Sequence, residues 1–485
     1  MQETELKFQV PAERLAGVRR AVATGTAQRT RLQAMYAETA DHRLARAGLA
    51  LRLRKQGRVW VQTLKGRGDG LLQRLEHEVA LPAQRGTPQL DPARHAGTPA
   101  GDALAAALSD GAALQTLYRT DIQRTHRVLR RGGARVELAL DEGWIIAGRQ
   151  RIAVCELELE LLDGPPRELL ALAEAWVQRH GLWLDVRTKS ERGFRLATGL
   201  QQVPAVKAGT ATLNPQGTPR EAFAAMLQAT LQHAWPNAAE LAGGSGTPEH
   251  LHQLRVALRR LRTVLRVFAD WAEDPEATSA LEAAWAQTFA QLGTARDDDA
   301  LAALLLPALA AAGGPPLTLP RQAAAQDPAA LLRAPAITVQ WLRTLQMSLP
   351  SFALGQQGLR EAARRTLRRL ARKALSEADA FADAPVEQQH RLRKRLKRLR
   401  YAAEFVLPLV PAKAAARGLN RLRQVLDEMG HYNDVLVAQE RLQQMDASDP
   451  GVAFALGWLA SQRALRLARC AQALKELTHR PGPWS

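Results

Sequence analysis

Polar and apolar side chains alternate with period two through the first two hundred residues. Glu3-Thr4-Glu5-Leu6-Lys7-Phe8, Leu51-Arg52-Leu53-Arg54, Arg74-Leu75-Glu76-His77-Glu78-Val79 and Glu156-Leu157-Glu158-Leu159-Glu160-Leu161 show it most clearly. A strand turns successive side chains to opposite faces, so this spacing predicts a sheet. Helical spacing interrupts it over 11–23, 102–117 and 166–180. Beyond residue 219 the period becomes helical, and 219–233, 247–272, 275–292, 351–382 and 385–406 are predicted helices. Residues 201–218, rich in Gly, Thr and Pro, read as a linker, and the Ala/Pro/Gly-rich stretch 311–335 reads as a loop within the helical part. The expected fold is a two-domain α+β chain, with a strand-rich domain over 1–200 and an all-α domain over 219–480.

The helical part repeats itself. His252-x-x-Arg255-x-x-x-Arg259-x-x-Arg262 is matched by His390-x-x-Arg393-x-x-x-Lys397-x-x-Arg400, with Leu254, Leu258 and Leu261 matching Leu392, Leu396 and Leu399. Offsets of 0, 3, 7 and 10 share one face of a helix. Downstream, Gly293-Thr294-Ala295-Arg296-Asp297 resembles Gly430-His431-Tyr432-Asn433-Asp434. A duplicated helical bundle, split near 311–350, is the expectation.

Composition narrows the chemistry. The chain has 485 residues, 66 Lys plus Arg against 48 Asp plus Glu, a net charge of +18 and two cysteines. Two distant cysteines, Cys155 and Cys470, exclude a disulfide scaffold and a cysteine-rich zinc module. The acidic start Met1-Gln2-Glu3-Thr4-Glu5 lacks the basic-then-apolar run of a signal peptide. The apolar run 300–312 is broken by Pro307 and too short to span a bilayer. A cytoplasmic protein with no membrane partner is therefore expected. The net charge suggests a polyanionic partner without saying which.

The charge is arranged differently in the two parts. In the first, Glu3, Glu5 and Lys7 share a strand face, as do Arg52 and Arg54, Thr63 and Lys65, Arg74, Glu76 and Glu78, Glu137 and Asp141, and Glu156, Glu158 and Glu160. A solvated outer face explains any one such strand. The whole set fits a tunnel better, with a polar lumen and an apolar exterior covered by helices. Carboxylates hold hard divalent cations through oxygen, and Lys and Arg hold phosphate, so both signs on one face suit phosphate plus metal. In the second part, 390–401 holds seven Lys or Arg and no acid, and 360–373 holds seven against one. Solvated helix faces are the bland account, but like charges stacked one turn apart oppose the helix unless an anion binds. His252 or His390 alone would be an ordinary structural histidine, and their matched positions favour a role.

The ordered series Glu3-x-Glu5-x-Lys7, Tyr36-Ala37-Glu38-Thr39, Leu51-Arg52-Leu53-Arg54, Thr63-Leu64-Lys65-Gly66, Arg74-Leu75-Glu76-His77-Glu78, Asp141, Glu156-Leu157-Glu158-Leu159-Glu160 and Thr188-Lys189-Ser190-Glu191-Arg192-Gly193 resembles the CYTH domain of the triphosphate tunnel metalloenzymes. Ala37 and Glu38 depart from the family's aromatic and aspartate, and Thr188 from its serine. The resemblance implies an eight-stranded antiparallel tunnel that uses Mg²⁺ or Mn²⁺. It places Lys7, Arg52, Arg54, Lys65, Arg124 and Lys189 along the phosphate path, and makes Glu3, Glu5, Glu76, Glu78, Asp141, Glu156 and Glu158 the metal-facing acids.

The second part resembles the CHAD domain, through His252-x-x-Arg255, Leu292-Gly293-x-x-Arg296-Asp297-x-Asp299, His390-x-x-Arg393 and Asn433-Asp434. That resemblance implies inorganic polyphosphate bound by His252, Arg255, Arg259, Arg260, Arg262, His390, Arg393, Lys394, Lys397 and Arg400. An inorganic triphosphatase with a polyphosphate-binding domain is the resulting expectation. Its rivals are a non-catalytic protein targeted to polyphosphate granules and an enzyme like a thiamine triphosphatase or adenylate cyclase. Few aromatics on the basic helices disfavour single-stranded nucleic acid.

Overall fold

The computed structural model of the protein describes residues 2–68, 73–82, 84, 86–319, 327–349, 358–480 and 482, without the side chains of 2, 3, 67, 73, 74, 294–301, 304 and 412. The alternating segments form β1 (Gln2–Gln9), β2 (Gln28–Thr39), β3 (Ala50–Gln56), β4 (Val59–Arg67), β5 (Gln73–Leu81), β6 (Leu114–Arg131), β7 (Ala134–Ala147), β8 (Gln150–Asp163) and β9 (Trp183–Leu184). They make one antiparallel sheet in the order β5-β4-β3-β2-β6-β7-β8-β1-β9, and β1 also pairs with β5. Eight strands therefore close into a barrel, and β9 is a short addition beside β1.

Register then assigns the faces. Cross-strand partners point the same way, and the pairs Lys7↔Glu158, Asp141↔Glu156, Arg124↔Asp141, Arg52↔Thr63, Thr63↔Glu78 and Lys65↔Glu76 put the charged residues on the lumen side. The alternate positions, among them Phe8, Leu51, Leu64, Leu138, Leu157 and Leu159, are completely buried on the outside. The sheet is thus inverted relative to a solvated sandwich, with its apolar face outward under helices.

In the N-terminal stretch these are α1 (Leu15–Val22), α2 (Arg43–Arg46), α3 (Pro99–Ala107), α4 (Pro166–His180) and α5 (Lys189–Thr198). Leu104 of α3 seals Leu44, Leu51 and Leu64, while α4 lies on β7 and β8. The helix expected over 102–117 ends at Ala107 instead. Gly111 turns the chain at φ 75°, and 114–117 already belong to β6, whose 18 residues are needed to cross the barrel.

The C-terminal stretch is helical: α6 (Pro219–Ala242), α7 (Pro248–Val267), α8 (Pro275–Gln291), α9 (Thr294–Ala311), α10 (Pro328–Arg333), α11 (Pro335–Met347), α12 (Leu359–Leu375), α13 (Val386–Val406), α14 (Ala412–Leu442) and α15 (Pro450–His479). α6 runs on past the expected end at 233, carrying Pro236 inside it. The expected helix over 351–382 occupies Leu359–Leu375, and 351–357 lie outside the described residues.

By compactness the chain divides into two units. One comprises 1–207, 231–254 and 328–349; the other comprises 208–230, 255–327 and 350–485. Segments from beyond residue 219 therefore complete the barrel unit. α11 packs on α4, where Arg343 pairs with Glu174 at 2.6 Å, and Thr338 Oγ1 accepts from the Leu184 amide at 3.2 Å. In the other unit the leucine stripe of α13 (Leu392, Leu396, Leu399) is buried, as the repeat predicts.

Candidate active site

The lumen collects most of the expected residues into one ion network. Lys189, the first residue of α5, is aimed by a capping box in which Thr188 and Glu191 satisfy each other's backbone amides. Its ammonium lies 2.8 Å from Asp141, 2.8 Å from Glu156 and 2.7 Å from Glu158. Arg124 grips Asp141 bidentately at 2.7 Å and also reaches Glu158. Lys7 lies 3.2 Å from Glu5 and 3.7 Å from Glu158. Farther round the barrel, Lys65 meets Glu76 at 2.9 Å, Arg54 meets Glu78 at 2.9 Å, and Arg52 stands 3.7 Å from Glu76. The side chain of Glu3 lies outside the described residues.

Burial and pairing compete at each group. Burial alone would raise the pKa of Glu158, but Lys189, Arg124 and Lys7 outweigh it and hold the carboxyl well below its ordinary range. Burial would likewise lower Lys189, yet Asp141, Glu156 and Glu158 hold its ammonium well above the usual value. Arg54 differs. Its pKa is lowered by burial and then by Arg52, with Glu78 compensating only in part. The Nε atoms of Arg52 and Arg54 are buried without a hydrogen-bond partner among the described residues. Cations left with spare buried donors are what an incoming anion would satisfy.

The residues suit a hard divalent cation by donor chemistry. All the candidate ligands are carboxylates, and Asp141, Glu156 and Glu158 already converge on one positive charge, the Lys189 ammonium. Among the described residues no group of three or more His, Cys, Asp or Glu side chains is arranged to hold a metal ion.

The lumen is not polar throughout. Leu32, Ala34, Tyr36, Tyr118, Ile122, Ile145 and Val154 form an apolar cluster on the same face, closed by Phe194 of α5. Tyr36 and Tyr118 stack at 4.6 Å between ring centroids, and the Tyr36 hydroxyl accepts from Arg52 at 3.2 Å. Sequence reasoning did not place these rings in the site, nor Arg192, which pairs with Glu156, nor His126, whose Nδ1 lies 3.2 Å from Glu137 Oε2. Spacing could have found His126, because it follows Arg124 by two residues and so shares its face.

In the other unit a cleft of about 880 Å³ is lined by Arg255, Arg259, Arg262, Arg266, His390, Arg393, Lys394, Lys397 and Arg398, with Glu282 and Asp434 as its acids. Arg255, Arg259 and Arg262 surround the Phe289 ring at 5.5, 5.6 and 5.6 Å. Burial, then repulsion from Arg393, Arg259 and Arg400, pushes the Lys397 ammonium down to about 7. Arg393 and Arg259 are lowered too, mainly by burial. Crowded cations of this kind are what a bound anion would relieve.

Three expected polyphosphate contacts do not line it. Arg260 stacks on Phe405 at 4.7 Å and donates to the Gly209 carbonyl, and Arg400 stacks on Tyr401 at 4.5 Å and lies 3.8 Å from Glu404. Arg260, one residue after Arg259, is turned off the stripe by helical rotation, whereas Arg400 shares the face of Lys397 but folds onto Tyr401 and Glu404. His252 is likewise absent from its lining, whereas its repeat partner His390 is present. Arg266 and Arg398 were missed. Each lies one turn beyond an expected residue, after Arg262 and Lys394, which is the signal that could have found them.

Residues 1–194 match the family model of the CYTH domain, and residues 225–443 match that of the CHAD domain. An inorganic triphosphatase from Haemophilus influenzae is 28% identical over 166 residues, covering 34% of this chain. The match spans 45% of that protein, so the chain corresponds to less than half its length. Among solved structures, the CHAD domain from the plant Ricinus communis is 29% identical at a TM-score of 0.45, covering 56% of this chain and 96% of that one. A candidate adenylyl cyclase from Hippeastrum, described by its dominant triphosphatase activity, is 17% identical at a TM-score of 0.29, covering 41% of this chain and 96% of its own.

Proposed function

Because the chain joins a CYTH domain to a CHAD domain, we propose that its barrel hydrolyses inorganic triphosphate to diphosphate and phosphate, and that its cationic cleft holds inorganic polyphosphate. One observation carries the first claim. In one lumen, Arg52 and Arg54 keep spare buried donors and three carboxylates converge on a single positive charge. Phosphate oxygens would take the cations, freeing carboxylates that are now engaged by them. Glu5, Asp141, Glu156 and Glu158, with Glu3, Glu76 and Glu78 as further acids, would hold Mg²⁺ or Mn²⁺. Such an ion, when bound, supplies neutralisation of the phosphate charge.

The chain's own residues do the rest. Lys7, Arg52, Arg54, Lys65, Arg124 and Lys189 would fix the triphosphate and offset the negative charge that gathers on the departing diphosphate. Their burial makes each such contact stronger than in water. The stacked tyrosines and α5 narrow the space on one side of the lumen. In the cleft, Arg255, Arg259, Arg262, His390, Arg393, Lys394 and Lys397 would bind polymer, which could bring the protein to polyphosphate granules. Among the described residues no helix is long and apolar enough to cross a membrane.

The test is phosphate release from inorganic triphosphate by the full chain with and without Mg²⁺ or Mn²⁺. Metal-dependent turnover that falls at least 100-fold in Glu5→Gln is expected, in line with the cost of losing a positioned charge in a buried site. Turnover indifferent to metal and to Glu5→Gln would sink the catalytic claim and leave a binding protein. Retention on polyphosphate should weaken in Arg255→Ala with Arg393→Ala.

A further inference from the structure

Hydrolysis leaves one proton to account for, because the attacking water must give it up as its oxygen meets phosphorus. Asp141, Glu156 and Glu158 would be taken up by the divalent cation once phosphate draws off the Lys189 and Arg124 now paired with them. His126 is placed differently. It lies on the lumen face of β6, and its Nδ1 stands 3.2 Å from Glu137 Oε2 on β7. Glu137 Oε1 is 3.9 Å from Arg124, so the imidazole is tied through Glu137 to a residue of the phosphate path. Both side chains are 22% exposed, open enough for water to reach them.

The groups facing the ring can be read from the register. Gln28 of β2 stands opposite His126 and carries no charge. Glu160 of β8 is opposite Glu137, and Glu5 of β1 is opposite Glu160. The ring's own strand contributes Arg124. A carboxylate on Nδ1 fixes the tautomer that carries its proton there, which leaves Nε2 as an acceptor. No hydrogen bond to Nε2 is made among the described residues. A histidine oriented by a carboxylate is the arrangement that accepts a proton near neutral pH.

We propose that His126, oriented by Glu137, takes the proton of the attacking water in triphosphate hydrolysis. This rests on the triphosphatase reading above. The water oxygen bonds to the terminal phosphorus, and the bond from that phosphorus to its bridging oxygen breaks. The electron pair of the broken bond stays on the diphosphate. The water proton passes to Nε2, and the resulting imidazolium, stabilised by Glu137, returns it to solvent. Triphosphate and water become diphosphate and phosphate. His126 is then a catalytic residue and Glu137 a positioning residue.

The experiment measures phosphate release from inorganic triphosphate against pH for the full chain and for His126→Gln, His126→Lys and Glu137→Gln, with thermal melts to confirm folding. In His126→Gln, kcat should fall about 100-fold or more with KM within about threefold, and the acid limb of the wild-type profile should vanish, as for loss of a general base. His126→Lys should stay equally slow, since it keeps a cation but holds its proton. Glu137→Gln, which deprives the ring of its orienting carboxylate, should lower kcat by about tenfold with KM little changed. A kcat within threefold of wild type in His126→Gln overturns the proposal. A raised KM at unchanged kcat, or turnover restored by His126→Lys, also overturns it and makes residue 126 a phosphate contact. An active wild type with an unaffected variant refutes the histidine alone, whereas a wild type with no metal-dependent turnover refutes the triphosphatase reading as well.

Discussion

Lys189 holds three carboxylates in place, so its removal should strike folding and turnover together. Lys189→Met would leave Asp141, Glu156 and Glu158 with only the arginines and Lys7 to balance them. Breaking a buried ion network by removing one partner typically costs about 3–5 kcal/mol. We expect a loss of that order in urea denaturation together with loss of triphosphate turnover. Lys397 makes the opposite case, because burial and the surrounding arginines outweigh the one carboxylate, Asp434, that acts on it. Its pKa of about 7 lies below the ordinary 10.5, so between those values the unfolded chain binds more protons than the folded one. The empty protein therefore gains stability as pH rises through that window. A bound polyanion would lift the Lys397 pKa, so binding would take up a proton and affinity would fall with rising pH above about 7, by at most tenfold per unit. Calorimetry at pH 8 in buffers of different ionisation heat should show this uptake, and Lys397→Arg should abolish it. Individual charges such as these were legible in the sequence because period two and period 3.6 sort faces. Which charge opposes which was not, because pairings such as Lys189 with Asp141 depend on how far α5 reaches into the barrel.

At the scale of elements, α5 is the part whose fit matters most. Its Gly193 lies against Tyr118, and a Cβ there would come within 2.2 Å of the ring. Farther along, Arg195 pairs with Glu240 of α6, which Ser245 also reaches at 2.6 Å. Gly193→Ala should therefore cost about 1–3 kcal/mol as overpacking and shift Lys189 off its three acids. A drop in melting temperature accompanied by a raised KM for triphosphate is the expected result, and a full-activity variant would show that the helix can yield. The strands and the repeated helices α7 and α13 follow from their period. The end of α3 did not, because a four-residue overlap of helical spacing into β6 is settled only by where the barrel needs its long strand. The helices α9, α10, α11, α14 and α15 escaped prediction, and α10 (Pro328–Arg333) overturns part of the loop expected over 311–335, because the Ala/Pro/Gly composition there masked a short helix started by Pro328.

For the molecule as a whole, the family boundary and the compact units do not coincide. Helical segments at 231–254 and 328–349 belong with the barrel. A chain cut after residue 200 would lose the partners of Glu174, of the Leu184 amide and of Arg195. Its barrel should unfold at a lower urea concentration than in the full chain, read by the fluorescence of Trp176 and Trp183, and an unchanged midpoint would show those helices to be dispensable. Linear order predicted two domains but not this exchange, since nothing in a helix's own period says which core it joins. The strands are also unequally supported. β7 and β8 run side by side from Arg135 to Ala147 against Gln150 to Asp163, whereas β9 is two residues long and pairs only with Phe8 and Gln9 of β1 among the described residues. Amide hydrogens in the middle of β7 should therefore outlast those of Trp183 and Leu184 in exchange with solvent, so the strap that leads into α5 would loosen before the wall it rests on.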